Sequence, residues 1–490
     1  MLSFAQAIVG YAVVKLVAYR RSGLNQFPGP TIAAITNLPY CYHLLVGDHP
    51  KWIASLHEKY ASGPVVRPAP NEVSFTTTSS WRDIYCFRKN HGVFIKSPAY
   101  DAAAFTAQAR SIVNERDPVE HAKMRKMLAP GFSDRAIRQQ WPLINQTVDI
   151  FIGQLAHRAK EGKLVDLTLF FSLVSFDIAT SLALGESFHS VEAGKMHPWA
   201  AFFKNGARAM GEAVAMMRFP WITKLVLAMK PPQLMAMIKE LRMHEAVCIE
   251  MVKRREESPS GRPDIIGLVL DAEKEEGEKS SIEYKAAQLS DLVIAGTETT
   301  ATVLSTANYF VMRDPAVLNK LRAEVRSRFK SIDDINPGTT VDLEYLNAVL
   351  NEAMRIMAPV PWPPGRLVPE GGDTVDGYFL PGGTWVSTSY FAAARSPINF
   401  QDPQEFRPER WIGKGTDKLD GSQPFGLGVR SCIGKAVGLC KLRLIMAKLH
   451  FKFDLEAADT ELDWVAKTKF RLLWDKPALM VRLRERSEDV

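Results

Sequence analysis

The sequence predicts a mainly α-helical protein with a minor β part. Apolar residues recur at helical spacing over residues 134–161, 165–186, 232–257, 286–312 and 315–329. Two shorter segments, residues 65–78 and 374–389, have the β-branched and aromatic composition of strands. Asp314 followed by Pro315 predicts the N-cap and first residue of the last of these helices. No repeat or Ser/Gly-rich linker follows residue 31, so residues 31–490 are expected to form one large domain.

The N-terminal segment, residues 1–19, has the composition of a membrane anchor. It is apolar at all but three positions, one of them Lys15, and Arg20 and Arg21 follow it. A helix rises about 1.5 Å per residue, so this length would nearly cover a hydrocarbon core about 30 Å thick. No charge precedes the run and no cleavage site closes it, which favours an uncleaved transmembrane anchor with the catalytic part in the cytosol. A buried amphipathic helix is the alternative. Residues 20–30, basic and then proline-rich, predict a linker.

Charge and cysteine usage exclude several classes of function. Lys and Arg outnumber Asp and Glu by 61 to 54, but the basic residues are scattered, which does not predict nucleic-acid binding. The excess fits a solvated surface or a docking face for an acidic protein partner. The five cysteines contain no CxxC pair, so neither a disulfide framework nor a zinc site is expected, and a reducing compartment is favoured.

Residues 219–239 form a strongly apolar stretch between two helical segments. Core packing would explain it. The alternative is a mobile lid that dips into a membrane and admits apolar substrates, because exposed apolar patches usually mark interaction surfaces.

Residues 424–434, PFGLGVRSCIG, carry the strongest chemical signal. They contain the pattern F-x-x-G-x-R-x-C-x-G, with its fixed positions at Phe425, Gly428, Arg430, Cys432 and Gly434. A single thiolate on a glycine-bent loop can approach a metal closely, and backbone N–H groups aimed at the sulfur keep it anionic. Arg430 would add a cation for that environment or for a carboxylate of a cofactor. A structural cysteine at the start of a helix is the alternative, and it leaves the surrounding pattern unexplained.

This pattern resembles that of the cytochrome P-450 monooxygenases, and the resemblance extends over essentially the whole chain. It implies a triangular helical prism with small sheets, in which haem b lies between a long central helix and the cysteine loop. Cys432 would then be the axial ligand of the haem iron, and a thiolate ligand favours cleavage of the O–O bond. The motifs are similar to those of fungal microsomal members that act on polyketide, terpenoid or alkaloid intermediates at the endoplasmic reticulum membrane.

Residues 295–300, AGTETT, match the oxygen-activation motif of this family. Cleavage of O2 requires protons, and Glu298 and Thr299 are the acid and the alcohol that would relay them from water. The alternative is that Thr299 only bonds back to the carbonyl of Ala295. Gly296 would leave space where the haem and oxygen lie.

Glu352 and Arg355 match the E-x-x-R motif of the family and lie three residues apart on one helix face. The resemblance adds Arg410 as a third member. These residues would hold the cysteine loop and take no part in catalysis. A surface ion pair is the alternative.

The propionates of haem require cations. His121 and Arg125 resemble the helix that supplies them, and Arg366 resembles a further propionate ligand. Tryptophan is common in the family at the position of His121, and a solvated His121 without a cofactor contact is the alternative.

For the substrate pocket, the resemblance gives Ala295, Val360, Trp362, Phe105 and Phe470. These are mostly apolar or aromatic, so a hydrophobic ligand is expected. Ordinary core packing is the alternative for each.

The combined motifs predict a monooxygenase that inserts one oxygen atom into a hydrophobic small molecule and reduces the other to water. No dinucleotide-binding glycine fingerprint occurs in the sequence, so a separate NADPH-cytochrome reductase would supply the electrons, with cytochrome b5 as a candidate second donor. A P-450-like isomerase or dehydratase, and a haem-binding sensor or carrier, are the alternatives. Glu298 and Thr299 argue against both, because neither alternative needs a proton relay.

Overall fold

The computed structural model describes Val17 and residues 22–60, 63–257, 264–277, 279–362 and 365–486. Apart from Val17, the predicted anchor, residues 1–19, lies outside the described residues, and its assignment stays a prediction. Within the described chain, one helix, Leu167–Leu184, is long and apolar enough to cross a membrane, and 94% of it is buried inside the protein.

Nineteen α-helices make up most of the described chain. In chain order they are α1 (Thr31–Ile35), α2 (Leu38–Val46), α3 (His49–Lys59), α4 (Thr78–Tyr85), α5 (Ala99–Ala102), α6 (Pro118–Leu128), α7 (Asp134–Lys160), α8 (Leu167–Leu184), α9 (Ser190–Ala193), α10 (Pro198–Met217), α11 (Pro220–Met229), α12 (Pro232–Glu257), α13 (Ile265–Glu276), α14 (Ile282–Arg313), α15 (Pro315–Arg328), α16 (Glu344–Ile356), α17 (Tyr390–Ala393), α18 (Lys435–Lys452) and α19 (Trp464–Lys467). Short 3-10 turns occupy Leu24–Gln26, Ala129–Phe132, Ile332–Asp334, Pro408–Trp411, Leu419–Gly421 and Gly428–Arg430.

The strands form one larger sheet and three small ones. Their bounds are β1 (Val65–Ala69), β2 (Glu72–Phe75), β3 (Ile95–Lys96), β4 (Val165–Asp166), β5 (Arg366–Leu367), β6 (Asp373–Val375), β7 (Tyr378–Leu380), β8 (Trp385–Thr388), β9 (Phe453–Ala457), β10 (Lys469–Arg471), β11 (Leu473–Asp475) and β12 (Met480–Glu485). The larger sheet has the order β1-β2-β8-β5-β3, and β2 and β8 pair in parallel. The others are β4-β12-β9 and the hairpins β6-β7 and β10-β11. The mainly α architecture with a minor β part is therefore confirmed.

Helix α14 is the central element, with 32 residues of which most are buried. It packs against α8, α12, α16 and α18. The hydroxyl of Ser281 caps its first turn by accepting a hydrogen bond from the N–H of Tyr284. The predicted cap at Asp314 is confirmed, because its carboxylate accepts from the N–H groups of Ala316 and Val317 and Pro315 follows it. The residues that flank α14, Ser281 and Asp314, therefore cap the starts of α14 and of the following helix α15.

The apolar stretch at residues 219–239 is not a core segment. Helix α11 contains no buried residue, and Trp221 and Met229 are 67% and 62% exposed. None of residues 219–239 is buried, but Phe219 is half-buried and packs against the main core, so core packing explains only the start of this stretch.

The described part of the predicted linker, residues 22–30, is packed against the larger sheet. Leu24 and Phe27 are buried in a cluster with Val65 and Phe75, and the carbonyl of Pro28 accepts a hydrogen bond from the N–H of Arg67 at 2.8 Å. This segment therefore has a fixed position on the globular part.

Candidate active site

The cysteine loop is a sharply bent segment that ends at the first turn of α18. Gly428 has a φ of +71°, and a Cβ placed there would lie 2.0 Å from the carbonyl oxygen of Tyr85. Only glycine fits both the left-handed backbone and this close approach. The N–H of Cys432 donates to the carbonyl of Phe425 at 2.8 Å and closes the loop. Cys432 therefore stands two residues before Gly434, the N-cap of α18.

The electrostatic surroundings of Cys432 have opposing effects on its thiol. Burial raises its pKa, whereas the backbone N–H of Gly434 and the charges of Arg125 and Lys441 lower it. The residue nevertheless has exposed surface. An exposed cysteine with nearby cations is accessible to a metal or cofactor.

Helix α14 has a partly exposed stretch within its mainly buried length. Ala295 is exposed and Glu298 and Thr299 are half-buried, whereas Val293, Ile294 and most residues of this helix are buried. The hydroxyl of Thr299 donates to the carbonyl of Ala295 at 2.6 Å. This is the back-bonding alternative, and it does not exclude a relay, because a hydroxyl that donates to a carbonyl still offers its oxygen lone pairs as acceptors.

Glu298 has a partner that its sequence neighbourhood does not reveal. Its Oε2 lies 2.8 Å from the Nζ of Lys476, and the two side chains are 20% and 4% exposed. Lys476 lies 178 residues further along the chain, directly after β11. No motif spacing relates the two positions, so only the fold could show this contact.

Gly296 leaves room for neighbouring helices. A Cβ at this position would meet the Cβ of Ala179 on α8 at 3.0 Å and the Nζ of Lys441 at 3.7 Å. The space predicted there for haem and oxygen stays a prediction. Lys441, a buried residue of α18, donates to the carbonyl of Gly296 at 2.8 Å. Burial lowers the pKa of Lys441 to about 8.

Four cations gather beside the cysteine loop: Lys96, Arg125, Arg366 and Arg430. Arg430 donates to the carbonyls of Glu115 and Arg116, Arg125 to that of Ser431, and Lys96 to those of Ile112 and Val113. Among the described residues, no carboxylate lies within salt-bridge distance of Lys96, Arg125 or Arg430. Burial and the charge of Arg366 lower the pKa of Arg430 to about 10. The positive charge of this cluster suits the binding of an anionic group.

His121 lies within this cluster and is buried, so the interpretation of a solvated histidine is wrong. Burial lowers its pKa to about 3, and the charges of Arg430, Lys96, Arg125 and Arg366 act in the same direction. His121 is therefore neutral at physiological pH and can offer an anion a hydrogen bond but no charge. Lys96 was not found by the sequence analysis, because a lone lysine at a strand end carries no motif.

Glu352, Arg355 and Arg410 form a buried network and not a surface ion pair. The carboxylate of Glu352 lies 2.8 Å from Arg355 and 3.0 Å from Arg410, and all three side chains are fully buried. The indole of Trp411 and the N–H of Arg407 donate to the same carboxylate at 2.9 and 2.8 Å. Its two oxygens thus bind the segment that precedes the cysteine loop.

The aromatic residues predicted for the pocket divide into two groups. Phe105 and Trp362 are half-buried, and their rings lie near those of Phe202 and Tyr100, respectively, with centroid distances of 6.5 and 5.6 Å. Val360 is 38% exposed. The assignment of Phe470 to the pocket is wrong, because it is fully buried and packs in the core.

Leu473, three residues after Phe470, is the hairpin residue that reaches the apolar cluster containing Phe105 and Phe202. The two strands β10 and β11 reverse at Leu472, which has a φ of +65°. This reversal points the second strand, and not the first, toward α14. The sequence alone could not show which of Phe470 and Leu473 faces this cluster.

The residues of this region fit the haem that the sequence resemblance implies. Cys432 offers a thiol to an iron, Ala295 offers a small apolar surface, and the four cations match the need of two propionates for positive charge. The chain thus places four buried or half-buried cations and the exposed residue Cys432 in one region. No part of this donor set conflicts with the group.

Comparisons with known proteins agree with this chemistry. The family model for cytochrome P450 matches residues 28–482. The chain is 40% identical to a cytochrome P450 monooxygenase, ORF11, of Penicillium roqueforti, with 94% of this chain and 95% of that protein covered. It is 36% identical to the cytochrome P450 monooxygenase BipB of Cochliobolus sativus, over 97% and 96% of the two chains.

The fold also has a solved counterpart. The crystal structure of the cytochrome P450DA heme domain superposes with a TM-score of 0.78 at 20% identity, covering 94% of this chain and 97% of that one. At this identity the likeness concerns the fold alone.

Proposed function

The chain belongs to the cytochrome P450 family and is a haem-dependent monooxygenase, and we propose that it oxidises a hydrophobic small molecule with electrons from an NADPH-dependent reductase. The overall reaction is RH + O2 + NADPH + H⁺ → ROH + H2O + NADP⁺. The observation that carries this proposal is the exposed Cys432 on its bent loop close to α14. Lys441 links the two, because its charge acts on Cys432 and its ammonium donates to the carbonyl of Gly296, next to the exposed Ala295.

Each described residue of the site has a defined task in this proposal. Bound haem supplies an iron centre that activates O2. Cys432 binds the iron, and Arg125, Arg366, Arg430 and the neutral His121 bind the propionates. Glu298 would pass protons from water to the Thr299 hydroxyl. For each proton it accepts, that hydroxyl would release its own to the reacting oxygen, after its O–H turns away from the Ala295 carbonyl.

The proposed substrate is a hydrophobic fungal metabolite of the polyketide, terpenoid or alkaloid class. Phe105, Phe202, Trp362 and Leu473 give the pocket region an apolar, aromatic wall. The relatives cited above are fungal monooxygenases, which supports the same class. Hydroxylation, epoxidation, desaturation and ring coupling are all compatible with this wall.

We further propose that the chain works at the endoplasmic reticulum membrane with an NADPH-cytochrome reductase, and with cytochrome b5 as a second donor. The apolar segment at residues 1–19 supports an anchor. A second support is the exposed apolar surface of α2 and α11, formed by Leu38, Tyr42, Trp221, Leu225 and Met229. The side chain of Asn37, before α2, contacts Arg218, before α11, so the two helices present this surface together.

The test supplies the purified haem protein with a fungal NADPH-cytochrome reductase, NADPH and a panel of hydrophobic metabolites under ¹⁸O2. The proposal expects a product heavier by one ¹⁸O atom, or a desaturated or coupled product, that forms only when NADPH and reductase are both present. Product formation without NADPH would instead identify an isomerase or dehydratase. Steady absence of NADPH oxidation over the whole panel would favour a haem-binding sensor or carrier.

A further inference from the structure

The ammonium group of Lys476 is completely satisfied by three acceptors. Its Nζ donates to Oε2 of Glu298 at 2.8 Å, to the hydroxyl of Thr302 at 3.2 Å and to the carbonyl of Trp474 at 3.3 Å. A lysine ammonium has three donors, so this side chain has no freedom to seek another partner. Glu298 and Thr302 lie on α14, four residues apart, and the third acceptor belongs to β11.

The same lysine connects α14 to a wall of the substrate pocket. Leu473 in β11 packs against the same buried cluster as Phe105 and Phe202. The indole of the next residue, Trp474, donates to the carbonyl of Ala358 at 2.8 Å, which fixes the strand at the end of the loop that carries Val360 and Trp362. Lys476 therefore forms a direct link between the hairpin β10-β11 and the acid of the AGTETT motif.

This contact determines how the Glu298 carboxylate is presented. Oε2 is bound by Lys476, whereas Oε1 accepts no hydrogen bond from any described residue. One oxygen is thus held in place and the other remains available to water. A carboxylate that must accept and release protons benefits from such an arrangement, because fixing the group removes the entropy cost of orienting it at each proton transfer.

We propose that Lys476 is a positioning residue for Glu298: it holds one carboxylate oxygen so that the other can exchange protons between water and the Thr299 hydroxyl. The inference rests on the proposed monooxygenase function and adds to it a residue outside the AGTETT motif. It also joins the acid to the hairpin β10-β11.

The chain offers a matched control in a second buried lysine. Lys448 on α18 has a side chain that is 1% exposed and forms an ion pair with Asp149 on α7. The substitution Lys448→Met removes the same charge from an equally buried lysine, whose partner Asp149 is 49% exposed, at helices that carry none of the proposed relay residues. Any effect of Lys476→Met that reflects only the loss of a buried lysine charge should appear in both variants.

The test compares the haem-loaded wild-type protein with Lys476→Met, Glu298→Gln, the double variant and Lys448→Met. NADPH oxidation with added reductase is measured in H2O and in D2O. General acid–base groups contribute about 10² to 10⁴ in rate, so Glu298→Gln should slow NADPH oxidation about a hundredfold and Lys476→Met, which leaves the acid present but unfixed, about tenfold. Both should raise the ratio of the rates in H2O and D2O, and Lys448→Met should change neither quantity.

A double-mutant cycle decides whether Lys476 acts through Glu298. In the Glu298→Gln background, Lys476→Met should cause no further loss of rate and no further rise of the isotope ratio. The same cycle in thermal unfolding gives a readout independent of activity: the two substitutions should lower the unfolding midpoint less together than the sum of their separate effects.

The outcomes separate the two proposals. Suppose that the wild type is active. If Lys476→Met then retains the wild-type rate and isotope ratio, or slows the wild type and Glu298→Gln equally, the positioning role is overturned and the proposed function stays intact. A wild type that binds haem but oxidises no NADPH with reductase would overturn the proposed function, and the role of Lys476 with it.

Discussion

The network around Glu352 allows one prediction to be worked in detail, for the substitution Glu352→Gln. The wild-type carboxylate accepts hydrogen bonds from Arg355, Arg410, Trp411 and the N–H of Arg407, at 2.8 to 3.0 Å. Glutamine has nearly the same shape, but it carries no charge and turns an NH2 group toward donors that require an acceptor. The substitution therefore changes electrostatics with little change in packing volume.

The magnitude follows from what remains around the two guanidinium groups. Arg410 keeps a second carboxylate, that of Asp417, whereas the other partners of Arg355 are the backbone carbonyls of Ala394, Pro403 and Glu405. Removing one member of a buried ion pair costs about 3 to 5 kcal/mol because the other charge is left uncompensated. We therefore expect Glu352→Gln to lower the free energy of unfolding by about 4 kcal/mol, mainly through Arg355.

Denaturant unfolding of the haem-loaded protein measures this loss, with the Soret band and tryptophan fluorescence as probes. The control is Glu456→Gln, which breaks an exposed pair with Arg484 and should cost less than about 1 kcal/mol. Because the network binds the segment before the cysteine loop, the Soret band should be lost at a lower denaturant concentration than the fluorescence change. If Glu352→Gln lowers the free energy of unfolding by an amount within about 1 kcal/mol of that for Glu456→Gln, it behaves like the loss of an exposed ion pair, and the reasoning is refuted.

Three further predictions concern the loop, pH and the membrane. Gly428→Ala should cost at least about 2 kcal/mol more than Gly377→Ala in unfolding experiments, because both glycines have positive φ but only Gly428 would clash, with Tyr85; equal costs would contradict this. Burial raises the pKa of Asp291 to about 6 from about 3.9 in the unfolded chain. The folded state therefore binds this proton more tightly than the unfolded state. The contribution of Asp291 to the free energy of unfolding is complete below pH 4 and is lost as the pH rises to 6. Asp291→Asn should remove roughly 3 kcal/mol of that pH dependence when unfolding is measured at pH 4 and at pH 7. The same pH dependence in wild type and Asp291→Asn would contradict this prediction. A protein beginning at Ser22, which keeps the buried Leu24, should pellet with membranes less than the full chain; undiminished pelleting would mean that residues 1–19 are not the main tether.

The elements that the sequence predicted well are those fixed by local patterns. The helical spacing of residues 232–257 and the cap at Asp314 depend on neighbours within one or two turns, and both match the structure. The bend at Gly428 follows equally from local backbone needs, although the atom it avoids, the carbonyl of Tyr85, could not be foreseen. Local physics thus accounts for the long helices and the shape of the cysteine loop.

The parts that could not be predicted depend on contacts between distant segments. Lys476 reaches Glu298 and Lys441 reaches Gly296 only because β11 and α18 pack on α14. Phe470 was assigned to the pocket and lies in the core for the same reason, since the direction of a side chain in a hairpin depends on the partners of the hairpin. Residue type alone does not encode these directions.

The central claim is that Cys432 is the thiolate ligand of a haem iron. The direct test is the absorption difference, with and without carbon monoxide, of the dithionite-reduced protein, for wild type and Cys432→Ala. The account predicts a strongly red-shifted Soret band for wild type and its loss in Cys432→Ala, because the electron-rich thiolate opposite the bound gas causes the shift. An unshifted band from folded, haem-loaded wild type, or a shifted band that persists in Cys432→Ala, would contradict the ligand and the function built on it.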